Sequence, residues 1–306
     1  MTGSAGLLLL GIVLAGLGGE LFVRGLVSLA AWWRVPPGII GATVAAFATS
    51  SPEMSVAINS ALEGQPEIAL GDVLGSNVVN IALVLGLALV FASIRVGHGT
   101  VTRDYSAAIM APALVGLLAL DGSLGPIDGV VLLVVFAAWL VQTAIAARRL
   151  RDATEAVLME RSRTSVVISL IIGLAMLIAA GRFIVSGAVD ISVALGWDEF
   201  VVGAVIVALG TSAPELATMI VARLRRHDEV AVGTILGSNI FNTLLIVGTA
   251  AVIHPISINS SEMAIGIVAS VLLVVFIIPA RGGLLARWRS IPLIGTYAVV
   301  VALLAT

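Results

Sequence analysis

Glu53 and Glu215 occupy matching surroundings, Thr49-Ser50-Ser51-Pro52-Glu53 and Thr211-Ser212-Ala213-Pro214-Glu215. Each lies near the middle of a long apolar run. An ionised side chain at that depth in a bilayer costs about 2.5–3.5 kcal/mol on insertion scales. Nothing positive shares those runs at that depth, and the chain has no lysine: all 16 basic residues are arginine. The natural counter-charge is a cation from solution. Pro52 and Pro214 each lack an N–H and disturb the preceding turn, which frees carbonyls near Ala48 and Gly210. In a membrane, freed carbonyls are tolerated where protein, water or an ion satisfies them. Carboxylates, hydroxyls and bare carbonyls thus converge at one depth. All are hard oxygen donors; about six to eight of them suit Ca²⁺, and fewer suit Na⁺.

A second motif follows each glutamate. Gly75-Ser76-Asn77-Val78-Val79-Asn80 and Gly237-Ser238-Asn239-Ile240-Phe241-Asn242 place Ser76 and Ser238 at 23 residues beyond Glu53 and Glu215. Ser76 and Asn80 are four apart and share a helix face, as do Ser238 and Asn242. Interhelical hydrogen bonding would use the same residues. Their duplication together with the glutamates favours ion ligation. Gly71, Gly75, Gly233 and Gly237 recur every four residues, the spacing of small-xxx-small helix packing.

The two motif pairs are copies. Residues 41–80 align with 203–242 at an offset of 162 without a gap. From Gly41 to Leu87, 19 of 47 aligned pairs are identical, including every motif residue named above except Ser51/Ala213, Val78/Ile240 and Val79/Phe241. Shared apolar composition would match scattered Ala and Val; it would not align the polar residues of both motifs. The chain carries an internal duplication.

The elements that position these residues are read from composition. The 306 residues are 59% hydrophobic and 11% charged, with a mean hydropathy of +1.15. That excludes an ordinary soluble domain. Ten apolar spans emerge, at 5–31, 38–62, 67–92, 103–120, 126–147, 165–195, 199–222, 229–253, 261–280 and 289–305. The expected fold is an all-α integral membrane protein. Residues 1–147 form one five-helix repeat, 148–164 a cytoplasmic linker, and 165–306 the second repeat. The linker reads as a solvated connector or a short amphipathic helix. The first span has no basic residue before it, which reads as a retained span rather than a cleaved signal. There is no cysteine, so disulfides are excluded.

Five spans per half is an odd number, so the second half enters the membrane from the opposite side. The repeats are inverted, an architecture common among secondary transporters, with binding at the midplane. The arginines test this layout. With the N-terminus on one side, 14 of the 16 fall in loops of the other side or at their edges; Arg24 and Arg182 lie within spans. By the positive-inside rule the arginine-rich side is cytoplasmic and both termini lie outside.

G-T-S-x-P-E followed by G-S-N-x-x-N/D, twice, resembles the α-repeats of the cation/calcium exchanger superfamily, most of all the prokaryotic sodium/calcium exchanger type. The resemblance covers the whole chain. It implies ten helices, with spans two, three, seven and eight around the ions and spans one and six as a sliding pair. It also implies exchange of about three Na⁺ for one Ca²⁺ at a shared site. By the same resemblance Glu53 and Glu215 are the central ligands, and Thr49, Ser50, Thr211 and Ser212 give hydroxyl and carbonyl oxygens. Ala46 and Ala208 give backbone carbonyls to Na⁺, Ser76 and Ser238 flank Na⁺, and Asn80 is the central amide. Two positions depart from the family pattern. Ala48 stands where glycine is usual, and Asn242 where many relatives have aspartate. Glu53 and Glu215 then hold the only −2 of charge at the centre, enough for one Ca²⁺ or two Na⁺.

The expected function is an inner-membrane Na⁺/Ca²⁺ antiporter. No bond is made or broken, so it is not an enzyme, and it needs no cofactor. Its partners are Ca²⁺, Na⁺ and the bilayer, with no nucleic acid, and one chain suffices for transport. An H⁺/Ca²⁺ exchanger is the alternative, with Glu53 and Glu215 titrating. A cation channel and an intramembrane hydrolase are weaker rivals: channels draw their rings from oligomers, and no His or Lys base lies at that depth. Outside the centre, Glu20 and Arg24 are four apart on span one and can pair. Asp72, whose counterpart is Thr234, could line an outside-facing entrance with Glu67; a charge at a helix N-terminus serves equally well.

Overall fold

A computed structural model describes residues 2–97, 101–151, 162–194, 212–258, 260–280 and 282–304. Helices dominate. The first half holds α1 (Thr2–Trp33), α2 (Pro37–Thr49), α3 (Ser51–Leu62), α4 (Pro66–Phe91), α5 (Arg103–Asp121) and α6 (Pro126–Arg151). The second holds α7 (Arg163–Ala194), α8 (Ala213–Leu224), α9 (Asp228–Ile253), α10 (Ser260–Phe276) and α11 (Ser290–Leu304). Among the described residues, six helices are long and apolar enough to cross a bilayer: α1, α4, α5, α6, α7 and α9. Residues 195–211, which hold the start of expected span seven, lie outside the described residues, as does most of the linker.

Expected span two is broken, as Pro52 requires. Ser50 leaves helical geometry at φ −83°, ψ 9°, between α2 and α3. Ser212 repeats the same angles, φ −82°, ψ 8°, ahead of α8. The carbonyl of Ala48 is not bare, however. The hydroxyl of Ser51 donates to it at 2.7 Å, a cap that Ala213 cannot supply in the second copy.

Burial separates a core from a rim. Within α9, 94% of the apolar stretch is buried, and within α4 83%, against 22% in α6 and α7. The rim helices turn Ile12, Leu17, Val134, Ile171 and Leu272 outward, as a lipid-facing surface demands. Lipid removes most of the hydrophobic drive for helix pairing, so close van der Waals fit must hold the core. Helix α9 lies against α2 with backbones nearly touching. A Cβ built on Gly237 would stand 2.3 Å from the carbonyl oxygen of Ala42, and one on Gly233 2.5 Å from that of Gly38. The counterpart neighbours of Gly71 and Gly75, in 200–211, lie outside the described residues. Helices α1 and α7 pack along each other at the rim.

Four two-residue strands break the all-α expectation. β1 (Ile94–Arg95) pairs antiparallel with β4 (Leu284–Leu285). β2 (Ser123–Leu124) pairs antiparallel with β3 (Ile256–Ser257). At the offset of 162, β1 is the counterpart of β3, and β2 falls one residue from β4. Each clasp therefore joins the end of a core helix in one half to a loop between two rim helices in the other. The turns after α3 and α8 also correspond. Gly64 has φ 76° and Arg226 φ 61°; Gln65 N–H donates to Ser60 O and His227 N–H to Ala222 O, both at 2.8 Å. The same left-handed turn is made by glycine in the first copy and by arginine in the second, where the side chain costs more.

Candidate functional site: a buried two-acid centre

The break at Ser50 ends α2 with hydroxyls and starts α3 with an acid. Pro52 falls in the first turn of α3, where its missing N–H costs nothing, and Glu53 follows on the side facing α8. The second copy does the same with Ser212, Pro214 and Glu215. Glu53 is 1% exposed and Glu215 fully buried. Ser50, one turn before Glu53, reaches Glu215 across the halves with its hydroxyl. Two acids are held together at the junction of the halves.

Hydroxyls surround them. Ser50 Oγ donates to Glu215 Oε1 at 3.4 Å. Thr49 Oγ1 and Ser238 Oγ lie 3.4 Å apart across the two halves. The carbonyl of Ala46 accepts from Ser50 N–H at 3.0 Å and from Thr49 Oγ1 at 3.4 Å. Ser76 and Ser238 are buried on α4 and α9. Asn80 and Asn242 each fall in a π-helical stretch, Val79–Leu85 and Phe241–Ile246. The wider turn re-aims a side chain, and such stretches cluster at functional sites. An edge-on ring contact of Phe241 with Phe136 at 4.9 Å braces the second stretch against α6.

The unsatisfied atoms are as informative as the bonds. Glu53 Oε2, Glu215 Oε2, Asn80 Oδ1, Asn242 Oδ1 and Ser212 Oγ are buried without a hydrogen-bond partner among the described residues. A buried orphan polar atom costs about 1–3 kcal/mol, more when charged. Two of these oxygens are on the acids and three are on neutral side chains, and all five are hard donors of the kind that Ca²⁺ and Na⁺ take. Among the described residues no arginine pairs with either acid. The ion pairs among the described residues, Arg24 and Arg225 with Glu20, Arg103 with Asp104, and Arg223 with Asp228, all lie away from this centre.

Several expected site residues are brought together: Thr49 with Ser238, and Ser50 with Glu215, one turn from Glu53. Thr211 and Ala208 lie outside the described residues. Glu67, expected at an entrance, is exposed, and its carboxylate accepts from Ser257 N–H in β3 at 3.2 Å. Asn77 and Asn239 went without a role in the sequence reading. Asn239 Oδ1 accepts from Asn80 Nδ2 at 3.1 Å, and Asn239 Nδ2 donates to Asn77 O at 3.1 Å. Asn77 Nδ2 donates to Thr243 Oγ1 at 2.8 Å. These asparagines stitch α4 to α9, and they turn the amide oxygen of Asn80 away from the stitch. Their identity at the 162 offset was the available signal. Glu20 pairs with Arg24, as its spacing allows, and also with Arg225 at 2.6 Å. That second contact ties α1 to the end of α8.

The two copies are not packed alike. On α8, Ala217, Thr218 and Val221 are buried, and α1 and α7 lie over this helix. Their counterparts on α3, Ser55, Val56 and Asn59, are exposed, and α3 packs chiefly on α4 and α9.

Apolar helices around a polar, acid-bearing core define a multi-pass membrane protein. The comparison with known proteins is more specific. A family model described as sodium/calcium exchanger protein matches residues 3–144 and again 165–306, so the chain belongs to the sodium/calcium exchanger family. It is 35% identical over 254 residues to the "Putative antiporter CaxA" of Alkalimonas amylolytica, covering 81% of this chain and 80% of that one. It is 33% identical over 295 residues to "Inner membrane protein YrbG" of Escherichia coli, covering 94% and 89%. Among solved structures it resembles the sodium-calcium exchanger NCX_Mj soaked with Na⁺ and Sr²⁺, with TM-score 0.83, 29% identity, and 98% and 97% of the two chains covered.

Proposed function

We propose that this protein is a Na⁺/Ca²⁺ antiporter of the cell membrane that works by alternating access at the Glu53/Glu215 centre. The observation that carries the reading is the pair of buried acids on matched broken helices, with orphan oxygens and, among the described residues, no arginine paired with either acid. Glu53 and Glu215 hold one Ca²⁺ or compete for Na⁺ through the same oxygens. Hydroxyls of Thr49, Ser50, Ser212, Ser76 and Ser238, carbonyls of Ala46 and Ala208, Thr211, and the amides of Asn80 and Asn242 complete the ligand set. Because one set of carboxylates serves both ions, occupancy by one excludes the other, and that exclusion couples the two gradients. No chemistry beyond ligand exchange is needed.

Ten spans in two inverted halves, 1–147 and 165–306 joined at 148–164, account for the rest. The reading is supported by the separate family matches to each half, by the arginine distribution and by the exchanged clasps. Both termini then face outward. A reporter fused at the C-terminus is expected to be active only in the periplasm; cytoplasmic activity would reverse the orientation. In this arrangement α3 runs from the centre to the outer face and α8 to the inner face. The exposed face of α3 and the covered face of α8 support a state open to the outside, with α1 and α7 sealing the inside.

The decisive test is ⁴⁵Ca²⁺ uptake into proteoliposomes loaded with Na⁺ and diluted into Na⁺-free or Na⁺-containing buffer at fixed pH. Uptake only with an outward Na⁺ gradient is expected. Uptake that ignores Na⁺ and follows an imposed pH gradient would instead establish the H⁺/Ca²⁺ reading, which the neutral Asn242 favours by leaving the centre one acid short.

A further inference from the structure

We propose that Glu63 and Arg182 form a latch that closes only when the carrier opens to the inside, in place of the Glu20–Arg225 latch that this state makes. The proposal rests on the alternating-access reading above and goes beyond it in naming two residues that meet only in the other state.

Glu20 on α1 meets Arg225, the residue that follows α8, at 2.6 Å. Gly19 brings the two helices close: a Cβ built on it would stand 2.9 Å from Cγ2 of Val221. At the offset of 162, Gly19 aligns with Gly181, Glu20 with Arg182, and Arg225 with Glu63. The identities Val23/Val185, Gly25/Gly187 and Val27/Val189 hold that register. Glu63 follows α3 as Arg225 follows α8, at φ −81°, ψ 0° against φ −86°, ψ 3°. The end of α3 and the middle of α7 therefore carry the parts of the same contact with the charges exchanged. That contact is not made in this state. Glu63 and Arg182 are both exposed, and neither forms an ion pair among the described residues.

An unpaired arginine at this position calls for a reason. Arg182 is the only charged residue between Arg163 and Asp190, in a helix apolar enough to cross a bilayer, where a charge is costly and marks function. Inverted repeats supply its partner. When the repeats exchange roles, the contacts that α1 makes with α8 in one state become contacts of α7 with α3 in the other. The open face of α3 agrees: Val56 is exposed there, whereas its counterpart Thr218 is fully buried on the covered face of α8. The signs follow the membrane as well. The core-helix end at the inner face carries Arg225 and the one at the outer face Glu63, and each meets the opposite sign on α1 or α7. An exposed ion pair is weak, which suits a contact that must open in every cycle. Two weak latches made in turn bias both end states and trap neither.

The chain has no cysteine, so introduced cysteine pairs test this in the full-length protein in proteoliposomes. A short bis-methanethiosulfonate serves as cross-linker, because a Glu–Arg pair spans more than a disulfide reaches. Glu20→Cys with Arg225→Cys, and Glu63→Cys with Arg182→Cys, are both expected to cross-link, each stopping Na⁺-driven ⁴⁵Ca²⁺ uptake until reductant is added. Glu20→Gln added to the second pair removes the competing latch and should raise its cross-linking rate about fivefold. A Glu63/Arg182 cysteine pair that stays unlinked while its reduced form takes up Ca²⁺ would overturn the proposal, since that carrier visits both states; so would a rate that Glu20→Gln leaves unchanged. Charge exchange covers the case in which the cysteines themselves impair transport. Glu63→Arg should slow uptake about fivefold, and Glu63→Arg with Arg182→Glu should restore it; a double variant no faster than Glu63→Arg would also overturn the proposal. Wild-type protein without Na⁺-driven uptake would remove the exchange reading instead, a result read before any variant is compared.

Discussion

Glu53→Gln or Glu215→Gln lowers Na⁺-driven Ca²⁺ uptake in proteoliposomes by at least about 100-fold, equivalent to about 2.8 kcal/mol of lost ion binding. Glutamine keeps the shape of the side chain and removes half the charge of the two-acid centre. It also turns an N–H₂ group toward oxygens that are already orphaned, Asn80 Oδ1 and Asn242 Oδ1 among them. A dication then meets one charge instead of two, in a region too buried for water to make up the difference. Stability should move the other way. In ion-free buffer the variants are expected to melt no lower than wild type, because an uncompensated buried charge has been taken out. Lost uptake together with preserved melting separates ligation from folding. Near-normal uptake in either variant would sink the site assignment.

Gly237→Ala is expected to be the most damaging single-methyl change in the core. Its Cβ would stand 2.3 Å from the carbonyl oxygen of Ala42 and 2.7 Å from the Cα and carbonyl carbon of the same residue. These are backbone atoms, so nothing flexible can yield and α9 must move away from α2. Overpacking of this kind costs about 1–3 kcal/mol, which lowers the melting midpoint by about 5 °C. The same movement separates Ser238 from Thr49 and loosens the centre, so uptake should fall with stability. Gly16→Ala is the control, since a Cβ there meets nothing within 4 Å among the described residues. Equal melting of Gly237→Ala and wild type in a detergent thermal scan would refute the close approach.

Much of the site could be read from residue types alone. The pairing of Pro with Glu announced both the break and the acid beside it, and the break falls at Ser50 and Ser212 as that logic requires. The duplication made the second acid a prediction of the first. What could not be read depends on three-dimensional neighbours. The π-helical turns under Asn80 and Asn242 have no sequence signature, because a single extra residue in a turn leaves the apolar pattern nearly unchanged. The hydroxyl of Ser51 over the Ala48 carbonyl escaped notice because its counterpart, Ala213, has none. The bond of Glu67 to Ser257 could not be read, because a strand of two residues, Ile256 and Ser257, is too short to announce itself. The asparagine stitch was visible as identity but not as a partner choice, since nothing in sequence says that Asn239 meets Asn77 and Asn80 rather than an ion.

The β clasps carry an implication about ancestry. Each needs one strand from each half: β1 closes only on β4, and β2 only on β3. A free half would keep two short strand edges open and present a single glutamate to a site built for two. The clasps are what two copies of one ancestral half would ask of each other, a strand lent in each direction. Fusion freed the copies to diverge, and the exchange of Gly64 for Arg226 at corresponding turns is one trace of it. The same logic says that the two halves, produced as separate chains in one cell, should find each other again.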